Sequence, residues 1–230
     1  MSHDAFSADI LHSAPAPGLP DGDDALYERI AADLQQQGFS VQHNALPAAM
    51  TSALYQYQRE LSHEYFAEAG IGRKQKFHKN EAVRTDKVCW IDGTSSTGDI
   101  WLQWCAALQR YLNRRLFMGL FSFESHFAHY RPGDFYKRHM DAFRGESNRV
   151  LSLVTYLNPE WQPQYGGELV IYRDAEDTTG ISVTPALGTV VLFLSESFPH
   201  EVKPASTDRY SIAGWFRVNT SINNKVDPPK

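Results

Sequence analysis

The sequence predicts an α+β fold: a double-stranded β-helix, or jelly-roll, core with packed N-terminal helices on its outside. Three observations lead there. Short runs of β-branched and aromatic residues, each closed by turn residues, fill the stretch from Phe121 to Val218. Longer runs before it repeat apolar residues at helical spacing. The chain has 230 residues, 42% hydrophobic and 13% aromatic, which suits one globular domain with a sizeable core.

Residues 1–23 are rich in Ala, Pro, Ser, Asp and Gly. They carry too little apolar surface to offset the entropy of ordering, so a flexible N-terminal segment is expected. A single domain is expected over 24–218, with helices in 24–117 and the jelly-roll core in 121–218. Asp23 or Asp24 can cap a first helix in which Leu26, Ile30, Ala31 and Leu34 recur, and Gly38 ends it. "FSVQH" reads as a short strand. After Pro47, a second helix is expected as far as Gly70, with Met50, Leu54, Tyr57, Leu61, Tyr65 and Phe66 on one face. A polar and basic passage follows, strand-like only at "KVCWI", and loops of such length are usually functional or disordered. The third helix, "GDIWLQWCAALQRYLNRRLF", carries a stripe of Trp101, Trp104, Cys105, Leu108, Leu112 and Leu116, as core helices do. Eight strands are then expected: "FSFESHFAHY", "YKRHMDA", "RVLSLVTYLN", "GGELVIYR", "ISVTP", "GTVVLFLS", "HEVKPA" and "YSIAGWFRVN". Residues 219–230 read as a frayed tail.

A net charge of −5 and a pI near 6.0 give no general basic surface, so no nucleic-acid partner is expected. There is no basic leader followed by an apolar run and no stretch of membrane-spanning length, so the expectation is a soluble, cytoplasmic protein with no membrane partner. Cys89 and Cys105 sit in no CxxC or zinc-type cluster and read as buried free thiols.

Chemistry gathers around "YKRHMDAFRGE". Alternate strand residues share a face, so His139 and Asp141 can present an imidazole and a carboxylate to one point. Alone the pair is weak, since most such pairs hold no metal. His200, after the apolar run "TVVLFLS", supplies a third ligand from a neighbouring strand. Two histidines and a carboxylate fill one face of an octahedron and leave three positions open, whereas a structural zinc site takes four protein ligands. Arg209, nine residues beyond His200, is placed to clasp a carboxylate bidentately from a returning strand.

HxD, a distal histidine and an arginine nine positions later, on a jelly-roll pattern, resemble the prolyl 4-hydroxylase branch of the 2-oxoglutarate- and Fe(II)-dependent oxygenases. The resemblance extends to the hypoxia-inducible-factor prolyl hydroxylases of animals and their bacterial relatives. It spans roughly Arg84 to Val218 and includes "RTDKVCWIDG", "YRPGDFYKRHMD", "TYLNPEW", "GGELVIY", "PHEVKPA" and "RYSIAGW". It implies that His139, Asp141 and His200 hold Fe(II) and that Arg209 pairs with the far carboxylate of 2-oxoglutarate. Tyr156 would share that carboxylate, Tyr130 would reach toward the cosubstrate, and Leu169 and Trp215 would wall the pocket. Arg84 and Asp86 match a charged pair in a loop that folds over the peptide substrate, and Tyr136 and Arg149 match positions at the peptide entrance. The segment "MDAFRGESNR" is one residue longer than the animal pattern, so target recognition is expected to differ there.

The implied reaction consumes dioxygen and 2-oxoglutarate, releases succinate and carbon dioxide, and places a hydroxyl at C4 of a prolyl residue in a protein. Ascorbate is the expected stimulant, oxygen sensing the associated role, and elongation factor Tu of a bacterium the implied partner. Other readings stay open beside these. The aromatic and aliphatic residues can be plain core, and Arg84 and Asp86 a solvated surface pair. His126 and His129 are taken as satisfied histidines. The same chemistry can act on another residue, a small substrate or a nucleobase; a metal-retaining sensor or a zinc hydrolase would keep the barrel.

Overall fold

The structure is a computed structural model, and it describes residues 24–61, 65–68, 83–142 and 148–219. The readings of residues 1–23 and 220–230, the stop at Gly70 and most of the "AFRGE" turn lie outside the described residues. In chain order the elements are α1 (Asp24–Gln37), β1 (Phe39–Gln42), α2 (Ala48–Glu60), β2 (Ala67–Glu68), β3 (Lys87–Trp90) and α3 (Ser96–Leu116). The strands β4 (Leu120–Tyr130), β5 (Tyr136–His139), β6 (Arg149–Tyr156), β7 (Leu169–Ile171), β8 (Ile181–Val183), β9 (Val190–Leu194), β10 (His200–Val202) and β11 (Arg209–Val218) follow. Each of the eight expected core runs forms one of these last strands. They assemble into two antiparallel sheets, one ordered β1-β9-β6-β11-β4-β3-β2 and a smaller one ordered β5-β10-β7-β8.

Strand alternation builds two cores on opposite faces of the larger sheet. Val190 and Leu192, Leu151 and Leu153, Ile212 and Phe216 face the helices, where they meet Ile30, Leu54, Trp101, Leu108 and Leu112. Their neighbours Val191, Phe193, Tyr156, Ala128 and Tyr130 face the smaller sheet and meet Leu169, Ile171, Val183 and Val202. Both faces of β9 are therefore buried, which explains its unbroken apolar run "VVLFL". The helix α3 starts at Ser95, whose side chain accepts from the Gly98 amide at 3.0 Å, and its last turn carries Arg114 and Arg115 against the carbonyl end.

The second helix is shorter than the sequence predicts. It ends at Glu60, Leu61 turns extended, and Tyr65 is 64% exposed rather than on a buried stripe. Ala67 and Glu68 pair instead with Val88 and Lys87 at the edge of β3. An unpaired strand edge offers a row of backbone partners, and satisfying it outweighs two further helical turns.

Candidate active site

The smaller sheet places two histidines side by side. His139 ends β5 and His200 begins β10, and the two are directly opposite in the antiparallel register. Their ring centroids are 4.3 Å apart. Asp141, two residues past β5, turns back between them: Oδ1 lies 3.7 Å from His139 Nε2 and Oδ2 lies 3.5 Å from His200 Nε2. The three side chains offer ligand atoms all within 4.8 Å of one another, and no other residue joins this group among the described residues.

Backbone carbonyls orient both imidazoles. His139 Nδ1 lies 2.8 Å from the Lys137 carbonyl and His200 Nδ1 lies 3.1 Å from that of Phe198. A proton on each Nδ1 satisfies the carbonyl and leaves the Nε2 lone pair for a cation. Burial pushes His200 down to about 4, the Asp141 charge opposing it only in part, so its ring is neutral at pH 7. Burial pushes the Asp141 carboxyl up, but the neighbouring His200 and His139 and a 2.6 Å bond from Ser152 Oγ hold it well below the usual carboxylate range. The ring of Phe193 backs His200 at 4.6 Å, and that of Tyr136 stacks on His139 at 3.5 Å.

Across the gap, the larger sheet buries a cation. Arg209 opens β11, is 1% exposed, and has no carboxylate partner among the described residues. Its Nε donates to the Gly167 carbonyl at 2.8 Å and its Nη1 to Ser211 Oγ at 3.2 Å, while the rings of Tyr130 and Tyr156 lie 4.9 and 5.1 Å from its carbon. The Tyr156 hydroxyl is buried without a properly formed hydrogen bond. Burial pushes that phenol up, with the Arg209 charge pulling the other way. A buried guanidinium with donors to spare beside an orphaned hydroxyl is costly unless an anion completes it. Leu169 on β7 packs in the same inter-sheet core.

The remaining expected residues pair with one another. Arg84 and Asp86 form a bidentate pair at 2.8 and 2.6 Å, and Asp86 is 1% exposed, so this is not a solvated surface pair. Burial lowers and the Asp86 bond more than restores the Arg84 proton affinity, which ends above its ordinary value. The Arg84 guanidinium lies over the Tyr136 ring at 4.3 Å, so the pair is linked through Tyr136 to His139. Arg149 bonds Glu124 at 2.9 Å and lies 3.7 Å from the Trp215 ring centre. Trp215 is buried, with its indole N–H lacking a partner among the described residues. Two residues that sequence reasoning missed stand behind the cluster, Ser152 and Ser195, their hydroxyls 2.9 Å apart. No motif marks them: Ser152 sits on an inward position of β6, and Ser195 lies just past the end of β9. His126 is buried between Trp90 and Trp215, its Nδ1 3.3 Å from the Phe127 carbonyl, and His129 bonds Asp208 at 2.7 Å. Both cysteines are free, Cys105 buried and Cys89 partly so.

The chain is similar in sequence and fold to known proteins. Residues 125–217 match the family model described as the 2OG-Fe(II) oxygenase superfamily, a span that contains His139, Asp141, His200 and Arg209. A crystal structure of a prolyl-4-hydroxylase from Pseudomonas putida is 38% identical, with a TM-score of 0.75 over 84% of this chain and 100% of that one. A prolyl hydroxylase from Trichoplax adhaerens, solved with a hypoxia-inducible-factor peptide, is 27% identical with a TM-score of 0.72, over 85% of this chain and 90% of that one. Human Egl nine homolog 1 is 26% identical over 151 residues, 62% of this chain but only 35% of the relative's length.

Proposed function

The chain belongs to the 2-oxoglutarate- and Fe(II)-dependent oxygenase superfamily, and from that premise we propose that it hydroxylates C4 of a prolyl residue in a protein substrate. The observation that carries the reading is the pairing of a His139–Asp141–His200 cluster with the acid-free, buried Arg209. The donor set fits the implied groups. Three ligands of nitrogen and oxygen type suit Fe(II) with open positions, and a dicarboxylate cosubstrate would supply the anion that Arg209 and the Tyr156 hydroxyl lack. When bound, Fe(II) and 2-oxoglutarate supply the activation of dioxygen, with succinate and carbon dioxide as coproducts and a hydroxyl delivered to the substrate.

The chain's own residues bind, orient and shield. His139 and His200 present Nε2 lone pairs oriented by backbone carbonyls and Asp141 a negative charge, so the cluster attracts a divalent cation. Arg209 and Tyr156 take the far carboxylate, with Tyr130 beside it, and Leu169 and Trp215 exclude water from the reacting end. Arg84, Asp86, Tyr136 and Arg149 form the rim against which the peptide docks. Residues 24–218 serve as one oxygenase domain. No described helix is long and apolar enough to cross a membrane. A cytoplasmic location is part of the proposal, since elongation factor Tu would be met there.

Elongation factor Tu is the proposed partner, as the resemblance of the sequence motifs to bacterial prolyl hydroxylases implies. Ascorbate would sustain turnover, and the dependence on dioxygen would let the protein report oxygen level. The test is incubation with Fe(II), 2-oxoglutarate, ascorbate and purified elongation factor Tu, then peptide mass spectrometry for one added oxygen on a prolyl residue. An adduct on another protein of a bacterial lysate would replace the partner and keep the chemistry. Succinate formation with no prolyl adduct anywhere would sink the prolyl reading.

A further inference from the structure

We infer that Ser152, held in turn by Ser195, is the positioning residue for Asp141, fixing the rotation of its carboxylate and keeping it a one-oxygen ligand. The inference rests on the metal reading above. Ser152 lies on β6 and Ser195 just past β9, and both are buried. Ser152 Oγ is 2.6 Å from Asp141 Oδ2 and 2.9 Å from Ser195 Oγ. The proton order in this chain is forced. An ionised carboxylate only accepts, so the single Ser152 proton points at Asp141, and Ser195 must donate to Ser152. Each bond in such a chain polarises the next, which strengthens the contact to the carboxylate.

The placement is not accidental filler. Ser152 is directly opposite Trp215 on one side and Phe193 on the other, positions where an apolar residue would pack readily. Burying two hydroxyls there is unfavourable unless each is bonded, and the bond that the pair converges on is the one to Asp141. The torsion that turns an aspartate carboxylate is soft and two-fold, so the side chain alone does not select an orientation. Oδ2 lies between Ser152 and His200 Nε2, at 2.6 and 3.5 Å, while Oδ1 faces His139 Nε2 at 3.7 Å. A hydroxyl proton on one oxygen disfavours both oxygens closing together on a cation. The three open positions that the cosubstrate and dioxygen need are thereby preserved.

The test is Co(II) binding by the full chain, followed by calorimetry and by visible absorption, which reports coordination number. Ser152→Ala should weaken Co(II) binding by about 10- to 100-fold and change the band shape, the scale on which groups behind metal ligands act. Ser152→Thr keeps the hydroxyl and should restore both affinity and spectrum. Ser195→Ala leaves Ser152 in place and should weaken binding several-fold, so the idea stays testable even where Ser152→Ala does not fold. Apo melting temperatures of the three variants separate loss of folding from loss of affinity. Unaltered Co(II) affinity and spectrum in Ser152→Ala, or a threonine variant as weak as the alanine one, would overturn the inference alone. Failure of the unaltered chain to bind Co(II) would overturn the metal reading and this inference with it.

Discussion

Replacing Arg209 by methionine separates a binding role from a structural one, because the two predict opposite outcomes. Arg209 spends two donors on Gly167 and Ser211 and has no carboxylate partner among the described residues. A guanidinium has five N–H donors, so up to three remain for a ligand. Truncating one partner of a buried charge pair costs roughly 2–5 kcal/mol, which is about 30-fold or more in the affinity for 2-oxoglutarate. With the redox-inert Mn(II) in place of Fe(II), 2-oxoglutarate at about 100 times its Kd stabilises the unaltered protein by ~2.7 kcal/mol. That corresponds to a rise of roughly 5–11 °C in Tm for a chain of this size. In Arg209→Met the same concentration gives less than about 1 kcal/mol and a shift of only a few degrees. The ligand-free variant loses two hydrogen bonds but sheds an uncompensated buried charge, terms of similar size, so its Tm should stay within a few degrees of the unaltered value. The measurement is a thermal melt with and without 2-oxoglutarate. A methionine variant that keeps the full ligand-induced shift would refute the assignment of Arg209 as the anion anchor.

Three further outcomes are expected. His139→Ala should abolish succinate formation and Mn(II) binding while leaving the far-ultraviolet circular dichroism unchanged; unchanged turnover would show the ligand assignment to be wrong. Arg84→Ala strands the buried Asp86 carboxylate and should cost about 3–5 kcal/mol in urea unfolding, whereas Arg84→Met with Asp86→Leu together should cost clearly less. Burial holds His126 at about 4, below its unfolded value near 6.5, so the unfolded chain binds the extra proton first. Stability is then flat above about pH 6.5 and falls on acidification toward pH 4, by up to roughly 3 kcal/mol, and His126→Leu should remove that share of the slope in urea titrations at pH 7 and 5.

The sequence made the strands legible because each face needed a different partner. In β11, Ile212 and Phe216 go to the helices while Arg209 and Ser211 go to the pocket, and that alternation is written in the order of residues. The metal cluster was legible only in part by period two: His139 and His200 face each other on strands, whereas Asp141 reaches them from past the end of β5. What stayed hidden depends on contacts between distant segments. The end of α2 at Glu60 was lost because the pull on Ala67 and Glu68 comes from β3, whose edge no local pattern announces. Ser152 reads as an ordinary serine until Asp141 and Ser195 are brought to it. Arg149 and Trp215 were expected as separate wall and entrance residues, but the guanidinium stacks on the indole, so the two act as one surface.

The glycine pair of "GGELVIY" shows how a motif acquires a physical reason. Gly166 and Gly167 both have φ near +70°, at 71° and 73°, a region that side chains rarely adopt. A Cβ on Gly166 would come within 2.8 Å of the Pro204 carbonyl oxygen, and one on Gly167 within 2.9 Å of Ala205 Cβ and 3.2 Å of Arg209 Cδ. The chain therefore passes directly beneath the arginine that it must hold, and the Gly167 carbonyl accepts the Arg209 Nε bond from that position. Any side chain at Gly167 would press on Ala205 and on the Arg209 side chain. The residue that fixes the cation is the one that must have nothing of its own in the way, and this couples the turn before β7 to the anion end of the pocket.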